Sequence, residues 1–160
     1  MTAFGEIAAS LDYPMYIVTT AVDGARSGCL VGFASQCSID PPRFCVWISK
    51  VNHTFTLSEH AEVLAVHVLR KSNRGLAELF GETTGDHVDK FSQCEWTPGP
   101  GDAPILAGCD WFAGRVTQRA DTGDHVAYVL DPFDTGTAQH HHEPQLGFQD
   151  VRDFNAGHHP

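Results

Sequence analysis

The apolar residues of this chain fall in short clusters separated by glycine, proline and acidic residues, which is more typical of strands than of long helices. Clusters rich in β-branched and aromatic residues predict strands at Tyr13 to Val22, Ser27 to Cys37, Arg43 to Ser49 and Val63 to Leu69. A long hairpin is predicted further on, from Cys109–Ala120 and His125–Leu130, with its turn at Asp121-Thr122-Gly123-Asp124. Gln145 to Val151 is expected to form a closing strand.

Three segments have the pattern of short helices. Residues 2–10 place Phe4, Ile7 and Ala8 on one face. Asn52 to His60 forms the second, with Asn52 or Thr54 as its N-cap. Ser72 or Asn73 is expected to cap a third, which would turn Leu76, Leu79 and Phe80 inward. Residues 81–101 and 134–144 are rich in polar residues, glycine and proline and are expected to be loops.

These elements favour a mainly β protein. Strands outnumber helices by about two to one, and they are joined by hairpins and short helical crossovers and not by strict strand–helix alternation. No G-x-G-x-x-G sequence follows a predicted strand, so a dinucleotide-binding fold is unsupported. We therefore expect a closed or split β-barrel, formed as a single domain by residues 1–154, with residues 155–160 as a tail.

Net charge, cysteine content and the lack of a visible secretory signal limit the partners and the cellular location that we expect. The 160 residues carry a formal net charge of −10, which disfavours nucleic acid and anionic membranes as partners. The five cysteines contain no C-x-x-C pair, and Cys29, Cys37 and Cys45 lie in the predicted strands before residue 50, where free cysteines are usually buried. No secretory signal or long apolar span is visible, so a cytoplasmic location is the expectation.

The residues that follow the Arg43 to Ser49 strand have the composition of an anion site. Lys50 supplies positive charge, while Asn52, His53 and Thr54 supply polar groups at the start of a helix. The alternative is an ordinary helix N-cap beside a solvent-facing lysine, and spacing alone favours that alternative. Gly32, within the apolar Leu30-Val31-Gly32-Phe33 segment, indicates either a bulge or a close approach of another group to the backbone.

Five motifs stand in a recognisable order along the chain: Ser38-Ile39-Asp40-Pro41-Pro42, Lys50-Val51-Asn52-His53-Thr54, Leu64-Ala65-Val66-His67-Val68-Leu69, Asp89-Lys90-Phe91 and Gly123-Asp124-His125. Together they resemble the flavin reductase-like family, whose fold is an FMN-binding split β-barrel of Greek-key type. The resemblance covers roughly residues 5–150 of the chain.

The resemblance implies a set of flavin contacts. Leu30, Val31, Gly32 and Phe33 would line the isoalloxazine ring, with Ser35 and Gln36 toward the ribityl chain. Ser49, Lys50, Asn52, His53 and Thr54 would surround the phosphate, and the backbone of Val66, His67 and Val68 would meet the pyrimidine end of the ring. Lys90 and Phe91 would reach the cofactor from a loop, and Phe148 would cover a flavin face. His125 is implied on the nicotinamide side, as a residue that orients a ligand without abstracting a proton.

Two positions depart from the family pattern. The usual Thr-Ala-Asn/Ser-Ser segment is here Leu30-Val31-Gly32-Phe33, so fewer side chains would hydrogen-bond to the flavin and backbone contacts would carry more. His67 stands where the family commonly has asparagine, and a single histidine in a strand is more often a structural residue than a catalyst.

The function implied is an NAD(P)H-dependent flavin reductase that uses FMN, with FAD possible, and works as a homodimer with the flavin at the interface. A partner monooxygenase would receive the reduced flavin. A non-catalytic flavin-binding or storage protein and a deazaflavin-binding relative remain alternatives. His140, His141, His142, His158 and His159 invite a metal interpretation, but no spaced cysteine or carboxylate set accompanies them, so exposed loop histidines are favoured.

Overall fold

The computed structural model describes residues 2–82, 89–139 and 142–154. Its helices are α1 (Ala3–Ser10), α2 (His53–Ser58), α3 (Arg74–Glu82) and α4 (Phe148–Val151). Its strands are β1 (Tyr16–Val22), β2 (Ala25–Val31), β3 (Ala34–Ser38), β4 (Arg43–Ser49), β5 (Val63–Val68), β6 (Trp96–Pro98), β7 (Pro104–Leu106), β8 (Asp110–Asp121) and β9 (His125–Gly136).

Seven of these strands form one antiparallel sheet in the order β2-β1-β5-β8-β9-β4-β3, while β6 and β7 pair separately. The sheet is not closed by hydrogen bonds, because β2 and β3 are its two edges. Register shifts in the β8–β9 hairpin, between Ala113 and Gly114 and between Val116 and Gln118, bend its long strands. The expectation of a mainly β protein is therefore confirmed.

Alternation along the strands places neighbouring residues of one strand in different clusters of the core, of which two are large and one, with Ala65, Ala103 and Ile105, is small. On β1, Tyr16 and Val18 belong to a core between the sheet strands that includes Tyr128. Ile17, between them, points to a second core with Phe80, which is contributed by α3. α3, α4 and the C-terminal segment thus cover one face of the sheet, while α2 contributes Phe55 to the core between the strands.

The segment from Ser27 to Cys37, expected to be one strand, is two. β2 ends at Val31 and β3 begins at Ala34, so Gly32 and Phe33 form a junction between opposite edges of the sheet. A Cβ atom on Gly32 would lie 2.8 Å from Cε2 of Tyr13, which explains glycine at this position. The alternation of apolar and polar residues does not reveal this break, because it predicts only which residues are buried. It does not predict which strand each residue pairs with.

The expected closing strand at Gln145–Val151 was wrong. Gln145 and Gly147 make only isolated bridges, to Arg70 and Pro14, and the chain then enters α4. Asp150 accepts the backbone N–H of Gly147 at 2.8 Å, which starts the helix at Phe148. The expected loop at 134–144 was also partly wrong, because β9 extends to Gly136.

The three expected helices are confirmed, with changed boundaries. Asn52 is the N-cap of α2, and α3 begins at Arg74 after a short 3-10 turn at Lys71–Asn73. The excursion at 81–101 contains the strand β6 and two further 3-10 turns, while residues 155–160 lie outside the described residues. Across the described ranges, every helix is too short or too polar to cross a membrane.

Candidate functional site

Three of the predicted site regions meet at one end of β4. Ser49 of β4 pairs with His125 of β9, and the backbone N–H of Lys50 donates to the Asp124 carbonyl at 2.9 Å. The Phe33 ring lies beside them, with its centroid 5.0 Å from that of the His125 imidazole. The β2–β3 junction, the start of the phosphate-like segment and the Gly-Asp-His turn therefore form one surface.

Four rings continue this surface as a row, which we call the aromatic row: His125, Phe33, Tyr13 and Phe148. Ring centroids are 6.2 Å apart between Phe33 and Tyr13, and 4.8 Å apart between Tyr13 and Phe148, which are stacked. Phe33 is 50% exposed, so its face is open to a planar ligand. Sequence reasoning missed Tyr13, because nothing in its local pattern separates it from an ordinary strand residue.

Lys50 carries the positive charge at the edge of this surface. Its ammonium lies 2.7 Å from a carboxylate oxygen of Asp121, and both side chains are largely exposed. The hydrogen bond from Lys50, followed by that from the Gly123 N–H, lowers the pKa of Asp121 below its ordinary value. Lys50 thus joins β4 to the β8–β9 turn, and an anion near it would share its ammonium with Asp121.

Two other members of the predicted phosphate group already have partners within the fold. The Asn52 carboxamide oxygen accepts the Thr54 N–H at 2.9 Å, as an N-cap does. The Thr54 hydroxyl is buried and lies 2.8 Å from the Ser27 hydroxyl. The N-cap alternative therefore describes the roles of these two side chains, while Lys50 is exposed and His53 partly exposed.

Val66 and His67 lie in the interior and are fully buried. His67 Nδ1 donates to the Ile17 carbonyl at 3.0 Å, and its Nε2 accepts the Leu106 N–H at 3.0 Å. Burial lowers the pKa of His67 to about 4, so the ring is neutral. β5 is paired on both sides, with β1 and β8, which leaves the backbone of Val66 and His67 without an open edge. Among the three predicted contacts Val66, His67 and Val68, only Val68 is partly exposed.

Lys90 and Phe91 are also buried, contrary to the expectation that they reach the cofactor from a loop. The Lys90 ammonium donates to the carbonyls of Phe80 at 3.0 Å and Gly28 at 3.3 Å. Burial lowers the pKa of Lys90. The Phe91 ring packs edge-on against Phe80 and Trp96. Both residues therefore attach the excursion to β2 and α3.

The remaining predicted contacts lie along β2 and β3. Ser35 and Gln36 are exposed on the edge strand β3, where Ser35 Oγ donates to the Gln36 carbonyl and Gln36 Nε2 donates to the Ser38 carbonyl. Val31 is buried, whereas Leu30 is partly exposed. This edge therefore offers polar groups close to Phe33 along the chain.

Three of the cavities that are lined by described residues have the following positions. The largest, about 630 Å³, lies between the end of α2 and β8, and a second of about 330 Å³ contains Trp96 and Trp111. The third, about 250 Å³, borders Tyr13. This third cavity therefore adjoins the aromatic row.

The metal interpretation finds no support among the described residues, where no three His, Cys, Asp or Glu side chains are placed to hold an ion. His140, His141, His158 and His159 lie outside those residues. What the surface offers is an exposed ring for stacking, polar groups along a sheet edge and one lysine. That set fits a planar, anionic ligand such as a flavin nucleotide.

Known relatives agree with this description. The chain is 27% identical to the high molecular weight rubredoxin of Moorella thermoacetica over 75% of its own length, and spans 54% of that protein. It is 26% identical to an FMN reductase (NADH) of Methylorubrum extorquens, covering 80% of this chain and 74% of the relative. It is also 26% identical to the 4-hydroxyphenylacetate 3-monooxygenase reductase component of Salmonella typhimurium, covering 79% and 76%.

Solved structures share the fold. A flavin reductase domain protein of Arthrobacter matches with a TM-score of 0.83 at 21% identity, over 92% of this chain and 89% of that one. An NADH:FAD oxidoreductase of Streptomyces globisporus matches with a TM-score of 0.81 at 17% identity, over 90% and 85%. The family profile described as flavin reductase like domain matches residues 8–157. This chain belongs to the flavin reductase-like domain family.

Proposed function

We propose that this protein is an NAD(P)H-dependent flavin reductase. The observation that carries the proposal is the meeting of three predicted site regions at one surface, where the exposed Phe33 ring lies beside the His125 imidazole and Lys50 is bonded through its backbone to the same turn. The names of two relatives point the same way, since one is an FMN reductase (NADH) and one an NADH:FAD oxidoreductase. FMN is the proposed flavin, with FAD as the second choice.

Each part of the surface has a proposed role. Phe33 and the backbone of Leu30 to Gly32 would hold the isoalloxazine ring, with Ser35 and Gln36 along the ribityl chain. Ser49, Lys50 and His53 would face the phosphate, while Asn52 and Thr54 shape its loop. Phe148 and Val68 would contribute apolar contacts. The flavin would accept the electrons of the nicotinamide; the residues supply stacking, distance and exclusion of water.

A homodimer is proposed as the working form. Phe4, Ile7 and Leu11 are 78%, 61% and 53% exposed, and no residue of α1 is buried. Exposed apolar side chains grouped in this way favour a protein partner. A second copy lying over this face would also cover the aromatic row. A partner monooxygenase is proposed as the acceptor of reduced flavin, in line with the relative named as a monooxygenase reductase component.

A second candidate is a non-catalytic flavin carrier, favoured by the apolar Leu30-Val31-Gly32-Phe33 segment, whose side chains offer the flavin no hydrogen bonds. Anaerobic addition of NADH, then NADPH, to the protein with FMN separates the two. Bleaching of the flavin absorbance faster than in buffer supports the reductase. A bound chromophore that persists supports the carrier, or a deazaflavin if its spectrum differs from that of FMN. A protein that neither binds FMN nor speeds its reduction would overturn the flavin assignment.

A further inference from the structure

The cavity of about 330 Å³ lies between the β6–β7 hairpin, the start of β8 and the residues that follow β9. Its volume is at the lower end of the range for small-molecule pockets, which suits a ligand with one aromatic ring. Its floor is apolar and buried, and consists of Ile105, Leu106 and Cys109. Exposed residues form its mouth: Glu95, Thr97, Ala107, Gly108 and Thr137. Two half-buried indoles, those of Trp96 and Trp111, form its walls.

The indole of Trp96 is held in place by contacts within the protein. Its N–H donates to the Phe91 carbonyl at 3.0 Å, and the Phe91 ring meets it edge-on with centroids 5.7 Å apart. The guanidinium carbon of Arg26 lies 4.7 Å from the centroid of the Trp96 ring. Because the indole is already ordered, little conformational freedom is lost when a ligand stacks on it.

The indole of Trp111 is positioned by the strands on both sides of β8. Trp111 pairs with Gly136 of β9, where a Cβ atom would lie 2.2 Å from Trp111 Nε1, so a side chain there would displace the indole. On the other side Trp111 pairs with His67 of β5. His67 Nε2 accepts the Leu106 N–H at 3.0 Å, which ties the floor of the cavity to the strand beside this wall.

The charges around the cavity limit the class of ligand. Glu95 is the one charged residue among the described residues of the lining, so a carboxylate or phosphate group would be repelled. A cation is also disfavoured, because the Arg26 guanidinium already lies over the Trp96 ring. A neutral aromatic ring stacks on indoles without either penalty. The oxygen atoms of Glu95, Thr97 and Thr137 are acceptors for one N–H or O–H donor at the mouth.

We propose that this cavity is a second ligand site, for an uncharged compound that has one aromatic ring and one hydrogen-bond donor. The ring would stack between Trp96 and Trp111, with its donor at the mouth. None of the described lining residues belongs to the aromatic row. Trp111 pairs with Gly136 at the base of the β8–β9 hairpin, whereas His125 follows the turn at the other end. The ligand would therefore bind together with a flavin, and the inference is independent of the proposed function.

The first test uses phenol as the probe and the indole N–H signals of the tryptophans in NMR spectra as the readout. Titration should shift the signals of Trp96 and Trp111, with half-saturation at about 1 mM for a ligand of so few atoms. The signal of Trp47, which belongs to β4 and does not line the cavity, should stay unchanged. Saturating FMN should leave these shifts as they are. The absence of saturable shifts, or their loss when FMN is added, would overturn the proposal.

The second test compares probes that differ in charge or in aromatic character. Benzoate should bind about 5-fold more weakly than phenol because of Glu95, and Glu95→Gln should reduce that difference. Glu59→Gln is the matched control, since Glu59 is an exposed glutamate that lines a different cavity. Cyclohexanol, which lacks the aromatic ring, should bind about 3- to 10-fold more weakly than phenol. Equal binding of cyclohexanol, or tighter binding of phenyltrimethylammonium, would overturn the proposed ligand class.

The third test removes the two walls one at a time. Trp96→Leu and Trp111→Leu should each weaken phenol binding by about 3- to 10-fold, the value of one stacked ring. Trp47→Leu is the matched control and should leave the affinity unchanged, since Trp47 is a half-buried tryptophan away from the cavity. Circular dichroism checks that each variant is folded, and the wild-type titration tests the proposal even if a variant is not. Unchanged phenol affinity in both wall variants would overturn the site.

Discussion

The rings of Tyr13 and Phe148 stack with centroids 4.8 Å apart and an angle of 15° between their planes. Tyr13 precedes the first strand, and Phe148 opens the last helix, so the contact joins the two ends of the fold. Backbone bonds support it, since Phe148 N–H donates to the Tyr13 carbonyl at 2.8 Å. Phe33 touches the other side of Tyr13, which makes this stack the inner end of the aromatic row.

Replacing Tyr13 and Phe148 with alanine should reveal the interaction energy between the two rings. We expect the ring–ring interaction between Tyr13 and Phe148 to contribute about 1 kcal/mol beyond the area that each ring buries. A double-mutant cycle of Tyr13→Ala and Phe148→Ala, measured by urea unfolding, should therefore give less destabilisation in the double variant than the sum of the two. Phe148→Leu is the matched control for apolar bulk. Additive losses would show that the rings do not interact energetically.

Lys50 should strengthen the binding of FMN, which carries a phosphate group, and contribute little to the binding of riboflavin, which has none. Lys50→Met is expected to weaken FMN binding by about 10-fold, the scale of one exposed charge pair, while riboflavin binding changes little. Asp121→Asn should act in the opposite direction, because its loss releases the ammonium from its 2.7 Å partner. Fluorescence titration with both flavins at two salt concentrations measures the effect. An equal loss for FMN and riboflavin in Lys50→Met would argue against a phosphate contact.

Burial of His67 should make the free energy of unfolding depend on pH. Its pKa is lowered from 6.5 to about 4 by burial, so the unfolded chain takes up a proton in this window while the native ring does not. Stability should therefore fall as the pH decreases from about 6.5 to 4, by roughly 3 kcal/mol for this group alone. His67→Asn, which carries the residue common in the family, should lose that part of the slope.

The matched control for this titration is His60→Gln, because His60 is an exposed histidine. Urea unfolding of the three proteins across the pH range measures the difference, and subtracting the variant from the wild type removes the contribution of the carboxylates. An unchanged slope in His67→Asn would mean that His67 titrates normally in the native protein, or that it is already protonated there.

The buried hydroxyl groups of Ser27 and Thr54 should contribute to stability jointly and not independently. Ser27 and Thr54 are bonded at 2.8 Å, so Thr54→Val leaves the Ser27 hydroxyl buried and unpaired, at a cost of about 1–3 kcal/mol. Ser27→Ala should cost a similar amount. The double variant should lose less stability than the two single variants together, because it leaves neither hydroxyl buried without a partner. Thermal unfolding measures this, and a double variant that loses the full sum would contradict the pairing.

The fold was predictable where local pattern decides it. Arg43–Ser49 appears as β4 with the expected limits, because a dense β-branched and aromatic run is bounded by Pro42 and Lys50. The turn before His125 follows from its Asp and Gly residues in the same way. The break at Gly32 was not predictable, since it depends on Tyr13, which fills the space next to that glycine.

The candidate site was predictable only in part, for a similar reason. Sequence motifs indicated His125, Lys50 and Phe33, which do meet. They also indicated Lys90 and His67, whose polar groups are bonded within the interior. A motif marks a position along the chain, whereas burial depends on which distant residues pack on it. Tyr13 gains its place in the aromatic row from such contacts, with Phe33 and Phe148.

The junction at Gly32 and Phe33 has a consequence for how the chain tolerates changes in length. It is the short link between β2 and β3, the two outermost strands of the sheet, and Phe33 within it is the exposed ring of the aromatic row. One added residue would shift β3 against β4 and exchange the faces of its side chains. Insertions should therefore be rejected between Val31 and Ala34, and accepted at Asp23 and Gly24, where the β1–β2 hairpin turns in solvent.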